Sequence, residues 1–240
     1  AFSVFPATGT EVTLRLVSNE TDGAGTEQGY RVNLSSCLVQ KTAVGGDPVS
    51  LTFTDADSSS GDFAINNAMF HSNFMYFQVW ARHGLMNRAL KDRPADFVMN
   101  FSTNLVNAFF DPESDAVYFG TGGTDNQNRN LGLASDIIYH EYTHWVVERV
   151  FPLSNFGQSG AISEGVADFF ALDSYNGLAG NPPKTTFGEW VFPGGTCGTT
   201  GASCRDVNNT KKYPNDWQGE IHYDGQIIAG ALWDLRTVVV

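Results

Sequence analysis

The chain has 240 residues, with 26 Asp and Glu against 14 Lys and Arg, a formal charge of −12. That balance repels phosphates and anionic headgroups, which argues against nucleic acid and membrane surfaces as partners, and no apolar run reaches the ~18 residues of a membrane span. Hydrophobic residues make up 42% and aromatics 13%, enough to fill a core and too many for a disordered chain. In chain order, Thr10–Val17, Tyr30–Leu34 and Val49–Thr54 place apolar residues at every second position between Gly, Asp and Asn turns, the pattern of three antiparallel strands. The oxygen-rich run Asp55–Asp62 lacks EF-hand spacing and reads as a polar loop. From Phe63 to about residue 91 apolar and aromatic residues recur too densely for one stripe, which predicts a largely buried helix ending near Gly84.

Asp96–Asn104 and Ala116–Gly120 predict further strands, with a turn at Asp111-Pro112 between them. Helices are predicted from about Ala134 to Val150, stopped by Pro152, from Ser159 to about Tyr175, stopped by Gly177, and from Gln226 onward. The last is still apolar at Val240, so further chain is expected beyond it. Ala1, with no Met and no basic leader, reads as a processed or trimmed end. Cys197 and Cys204 bracket a Gly/Thr/Ser loop, where a disulfide is expected of an exported protein and two free thiols are the alternative; Cys37 is then left over. The whole predicts an α+β chain: a β-rich part over 1–130 with an aromatic helix, and a helical part over 131–240, incomplete at its C-terminal end.

His140-Glu141-Tyr142-Thr143-His144 falls inside the helix predicted from Ala134. Positions four apart on a helix lie about 40° apart and one turn along, so both imidazoles face one point. Two neutral imidazoles so placed can hold a single zinc ion, with Glu141 beside the metal and within reach of a water on it. Ile137, Ile138, Trp145, Val146 and Val147 flank the pattern, so the helix is central, and buried histidines and a buried acid need partners. The next helix offers them: Glu164 and Asp168 lie four apart among Val166, Phe169 and Phe170. One carboxylate suits a third metal ligand, and the other suits a hydrogen bond from the far nitrogen of a ligand histidine. Three protein ligands leave the open position of a catalytic site.

His-Glu-x-x-His followed by Gly160-Ala-Ile-Ser-Glu-Gly-Val-Ala-Asp168 resembles the thermolysin-like zinc peptidases, closest to the fungalysin branch. The resemblance covers about residues 63–236. It implies His140, His144 and Glu164 as zinc ligands, Glu141 as general base and Asp168 as the partner of His140. It also implies an active-site cleft between a β-rich and a helical lobe joined by the zinc helix. Asn107-Ala108 resembles the segment that holds a peptide substrate by strand addition. Arg205 resembles the arginine that grips the substrate carbonyl, and His222, placed before the final helix, the histidine that bonds the developing oxyanion. Asp136 and Glu189 match calcium ligands. Asn155 stands where a tyrosine is expected, and Tyr175 where a calcium-binding acid is expected, which leaves a double calcium site short of a ligand.

The function expected is a secreted zinc metalloendopeptidase acting on proteins and peptides and made with an inhibitory propeptide, with structural calcium as a second metal. A secreted binding module of the same fold, inactive or with a purely structural metal, is the alternative; it predicts a fourth side chain on the metal.

Overall fold

The computed structural model describes residues 2–4, 11–16, 49–54, 62–80, 95–102, 105–122, 130–189 and 204–239, and the chain divides into two compact units, Ala1–Asn66 and Asn67–Val240. In the first, β1 (Phe2–Val4), β2 (Glu11–Leu16) and β3 (Val49–Thr54) form an antiparallel sheet in that order. The alternation that predicts β2 and β3 also matches their register, which sets Val12 opposite Phe53, Leu14 opposite Leu51 and Leu16 opposite Val49. β1 carries too short a pattern to be read from sequence. The strand expected at Tyr30–Leu34, the loop before Asp62 and Cys37 lie outside the described residues.

Helix α1 (Asp62–Phe74) runs on as a π-helical turn, Met75–Trp80, rather than as one α-helix toward Gly84, which lies outside the described residues. Ala68, Met75, Val79 and Trp80 enter the core of the second unit. There a three-stranded sheet has the order β4 (Asp96–Val98), β6 (Ala116–Phe119), β5 (Ala108–Asp111). β4 is shorter than the predicted strand because the chain turns at Asn100, which adopts φ 56. β5 and β6 form a hairpin whose turn is built by Asp111: its carboxylate accepts from the Glu113 and Ser114 amides and from the Ser114 hydroxyl. Among the described residues β5 pairs with β6 alone and is an edge strand.

Helices α2 (Ser135–Val150) and α3 (Gly157–Gly177) lie within a residue or two of their predicted bounds. The division expected near residue 130 runs through the second unit, where Val117 and Phe119 of β6 share one core with Ile138, Tyr139 and Trp145 of α2. Each large apolar side chain fully buried there contributes roughly 1.5–3 kcal/mol. Helix α4 (Ile221–Val239) starts five residues earlier than its apolar pattern suggests. Gly219, at φ 86, leads into it, and the Glu220 carboxylate accepts from the His222 and Tyr223 amides, satisfying two of the helix's unpaired donors. α4 packs on α3 through two glycines. A Cβ on Gly165 would lie 2.4 Å from the Gly225 carbonyl oxygen, and one on Gly225 would lie 2.9 Å from Glu164 Cβ. No helix among the described residues is long and apolar enough to cross a membrane.

His71 of α1 is buried, and its Nδ1 lies 2.6 Å from the hydroxyl of Tyr139, the residue before His140. Burial lowers its pKa to about 3, so Nδ1 of the neutral ring accepts from the tyrosine. The unfolded chain takes up this proton near pH 6.5 and the folded chain does not, so the site costs stability as pH falls below that value. Between about pH 6 and 4, His71→Gln is expected to remove up to roughly 1.4 kcal/mol per pH unit from the slope of stability against pH. Urea unfolding of both proteins across that range measures it, and parallel slopes would contradict it.

Candidate metal centre

The helical spacing brings His140 and His144 to one point, with Nε2 atoms 3.0 Å apart and rings crossed at 87°. Glu164, one helix over, meets them there: Oε2 is 3.3 Å from His140 Nε2 and Oε1 is 3.4 Å from His144 Nε2. Among the described residues these three form a group able to hold one metal ion. The fit is more than proximity. Glu164 Oε2 is buried without a hydrogen-bond partner, and a buried carboxylate oxygen left so is costly unless a cation meets it. Two imidazole nitrogens and one carboxylate are the donor set of an open zinc site.

Behind the ligands the polar groups continue inward. Asp168, fully buried, has Oδ1 2.9 Å from His140 Nδ1. Arg205, itself 3% exposed, donates to Asp168 through Nε at 2.5 Å and Nη2 at 2.6 Å. Burial alone would raise the Asp168 pKa, but the Arg205 charge and the His140 contact outweigh it and hold the carboxyl below its usual range. Burial likewise works against a charge on Glu164, and His144 and His140 outweigh it, keeping the carboxyl well below the ordinary value. At His140 desolvation opposes the imidazolium, while Asp168 and Glu164 raise the pKa to about 10. His144 is oriented from its other side, where Nδ1 lies 3.0 Å from Ser163 Oγ.

The cluster lines a cavity of ≈ 480 Å³. Glu141 faces the same space at 7% exposure. Asn107 and Ala108, at the start of strand β5, also line it, and Asn155 borders it. His222 lies in the first turn of α4 rather than ahead of it. Its Nε2 is 3.6 Å from Glu164 Oε1, and its Nδ1 is 2.6 Å from Glu220 Oε1. Arg205 reaches the cavity, but the two donors of its fork described above are turned onto Asp168 and its guanidinium lies 4.3 Å from the centre of the Phe187 ring. Asp136 and Glu189 come together, though on the ammonium of Lys184. Cys204 is disulfide-bonded; Cys197, its expected partner, lies outside the described residues. Ser163, Glu220, Phe187 and Lys184 were not singled out by the sequence. Only Glu220, an acid ahead of an apolar helix, carries a local signal.

Helix-borne His-Glu-x-x-His with a glutamate from the following helix defines a metallopeptidase-type centre. The chain belongs to the fungalysin metallopeptidases (M36), whose family model matches residues 26–240. Curated relatives include the Zinc metalloproteinase of Listeria monocytogenes serovar 1/2a, 31% identical over 77% of this chain and 36% of that protein. Protease PrtS of Photorhabdus sp. (strain Az29) is 31% identical over 51% of this chain and 32% of its own length. An Extracellular metalloprotease of Pectobacterium carotovorum subsp. carotovorum is 28% identical over 51% and 35%. The chain thus spans about a third of the length of the curated relatives it matches.

Asp168 carries a prediction for the metal rather than for turnover. Asp168→Asn is expected to weaken zinc binding roughly 10–100-fold, read by competition with a chromophoric chelator. It should also destabilise the chain by about 3–5 kcal/mol, because Arg205 keeps a buried charge without its partner. Unchanged zinc affinity in the folded variant would show that Asp168 does not tune His140.

Proposed function

We propose that this chain carries the catalytic centre of a secreted zinc endopeptidase, with its cleft between a strand-rich and a helical lobe. The observation that supports it best is the meeting of His140, His144 and Glu164 in the wall of a cavity that Glu141 shares and that edge strand β5 borders. Three side chains converge there among the described residues, which leaves room for water and substrate and speaks against a closed structural site. The family, and the metalloproteases among its curated relatives, support the same reading.

His140, His144 and Glu164 would hold the zinc, which when bound supplies Lewis acidity toward a water and a peptide carbonyl. A peptide adds as a strand along β5, with Asn107 and Ala108 at its reacting end. Glu141 accepts a proton from the attacking water and hands it to the departing amine, so the residue is regenerated within one cycle. His222 donates from Nε2 toward the developing oxyanion, its ring held by the Glu220 carboxylate at Nδ1. Arg205 keeps Asp168 charged and so keeps His140 turned toward the metal.

Two substitutions separate these roles. Glu141→Gln is expected to retain stoichiometric zinc and lose turnover by roughly a thousandfold or more; metal analysis beside cleavage of a quenched peptide tests it, and near-normal cleavage would remove the general base. His222→Phe is expected to lower kcat by about 10²-fold with little change in KM, since the contact forms only as charge develops. A rise in KM at constant kcat would make His222 a substrate-binding residue instead.

A further inference from the structure

Asp136 and Glu189, the acids that the family resemblance assigns to calcium, close around a side chain of the same protein. Lys184 Nζ lies 2.9 Å from Asp136 Oδ2 and 2.8 Å from Glu189 Oε1, and 4.4 Å from the centre of the Tyr175 ring. Tyr175 is the residue that stands where a calcium-binding acid is expected. A tyrosine ring in that position suits an ammonium and offers a calcium ion no carboxylate. The remaining capacity of Asp136 is spent on backbone: Oδ2 also accepts from the Gly188 amide at 3.0 Å, and Oδ1 from that of Ile137 at 3.0 Å. Lys184 is held in register independently, because the Asn176 side chain bonds both its amide and its carbonyl. Burial works against the charge on Lys184, and Asp136 and Glu189 outweigh it, raising its pKa.

Calcium takes roughly six to eight oxygen ligands at about 2.3–2.6 Å. An ion between these two acids would have to displace a paired, largely buried ammonium. Of the oxygens on these two acids only Glu189 Oε2 is left without a hydrogen-bond partner, one oxygen where calcium needs several, so the pair fits a cation supplied by the chain.

We propose that Lys184 is an internal cation that takes the place of calcium, tying the segment Lys184–Glu189 to the first turn of α2 without a bound ion. The segment includes Phe187, whose ring centre lies 4.7 Å from that of His140, so the clamp supports one wall of the metal centre. It stands whether or not the chain is a working peptidase.

Thermal unfolding of the full chain, with and without about 5 mM calcium chloride, tests this alongside calcium binding by equilibrium dialysis. The parent protein is expected to show no calcium-dependent rise in Tm arising at this corner. Lys184→Met is expected to lower Tm by roughly 3–6 °C in calcium-free buffer. A rise of several degrees in the parent on adding calcium, abolished by Glu189→Gln, overturns the proposal, as does a Lys184→Met variant as stable as the parent. A calcium response that survives Glu189→Gln comes from elsewhere in the chain and leaves Lys184 as the cation here. The parent's response decides the matter even if Lys184→Met fails to fold.

Discussion

A row of paired polar side chains crosses the second unit, from Arg205 through Asp168 and His140 to Glu164 and His144. Neither the guanidinium nor either carboxylate could be buried alone. A carboxylate taken out of water without a partner costs several kcal/mol, and removing one member of a buried pair costs more than the pair contributes. Each member therefore obliges the next, and the obligations run across the short strand Arg205–Asp206, α3 and α2. The outer end of the row, where Glu164 Oε2 lacks a hydrogen bond, is where a metal ion completes it.

Position along that row depends on how closely the helices approach. The contact of Gly165 with Gly225 admits α4 to the surface of α3 beside Glu164, and the first turn of α4 then brings His222 to within 3.6 Å of Glu164 Oε1. The β5–β6 hairpin also contributes to the cavity lining through Ala108, Phe109 and Phe110. Arg149 of α2 secures the turn of that hairpin through Asp115 while stacking on Trp145.

Much of the centre was legible because a helix turns sequence spacing into geometry. His140 and His144, and Glu164 and Asp168, need only a periodicity of 3.6 to share a face. The burial of their helices followed from Ile137, Ile138 and Trp145 on one side and Val166 and Phe169 on the other. What could not be read depended on distant partners. The partner of Arg205 lies 37 residues away, and nothing beside Lys184 announces that its ammonium closes on Asp136, 48 residues back. Likewise no local pattern in the sequence sets the π-helical pitch of Met75–Trp80 apart from an α-helix, whereas the turn at Asn100 uses a residue type that adopts positive φ readily. The start of α4 is the intermediate case. Glu220 is visible in the sequence as an acid, but its hydrogen bonds to both backbone and imidazole are not.

Those shared hydrogen bonds make one side chain answer for two events. The carboxylate that satisfies the opening amides of α4 is also the group that fixes the ring of His222. Fraying of a single helical turn, which needs far less energy than global unfolding, would release both at once. Warming would then free the His222 ring while the hydrophobic interior is still intact, so order at the cavity and order in the core would run on separate thermometers.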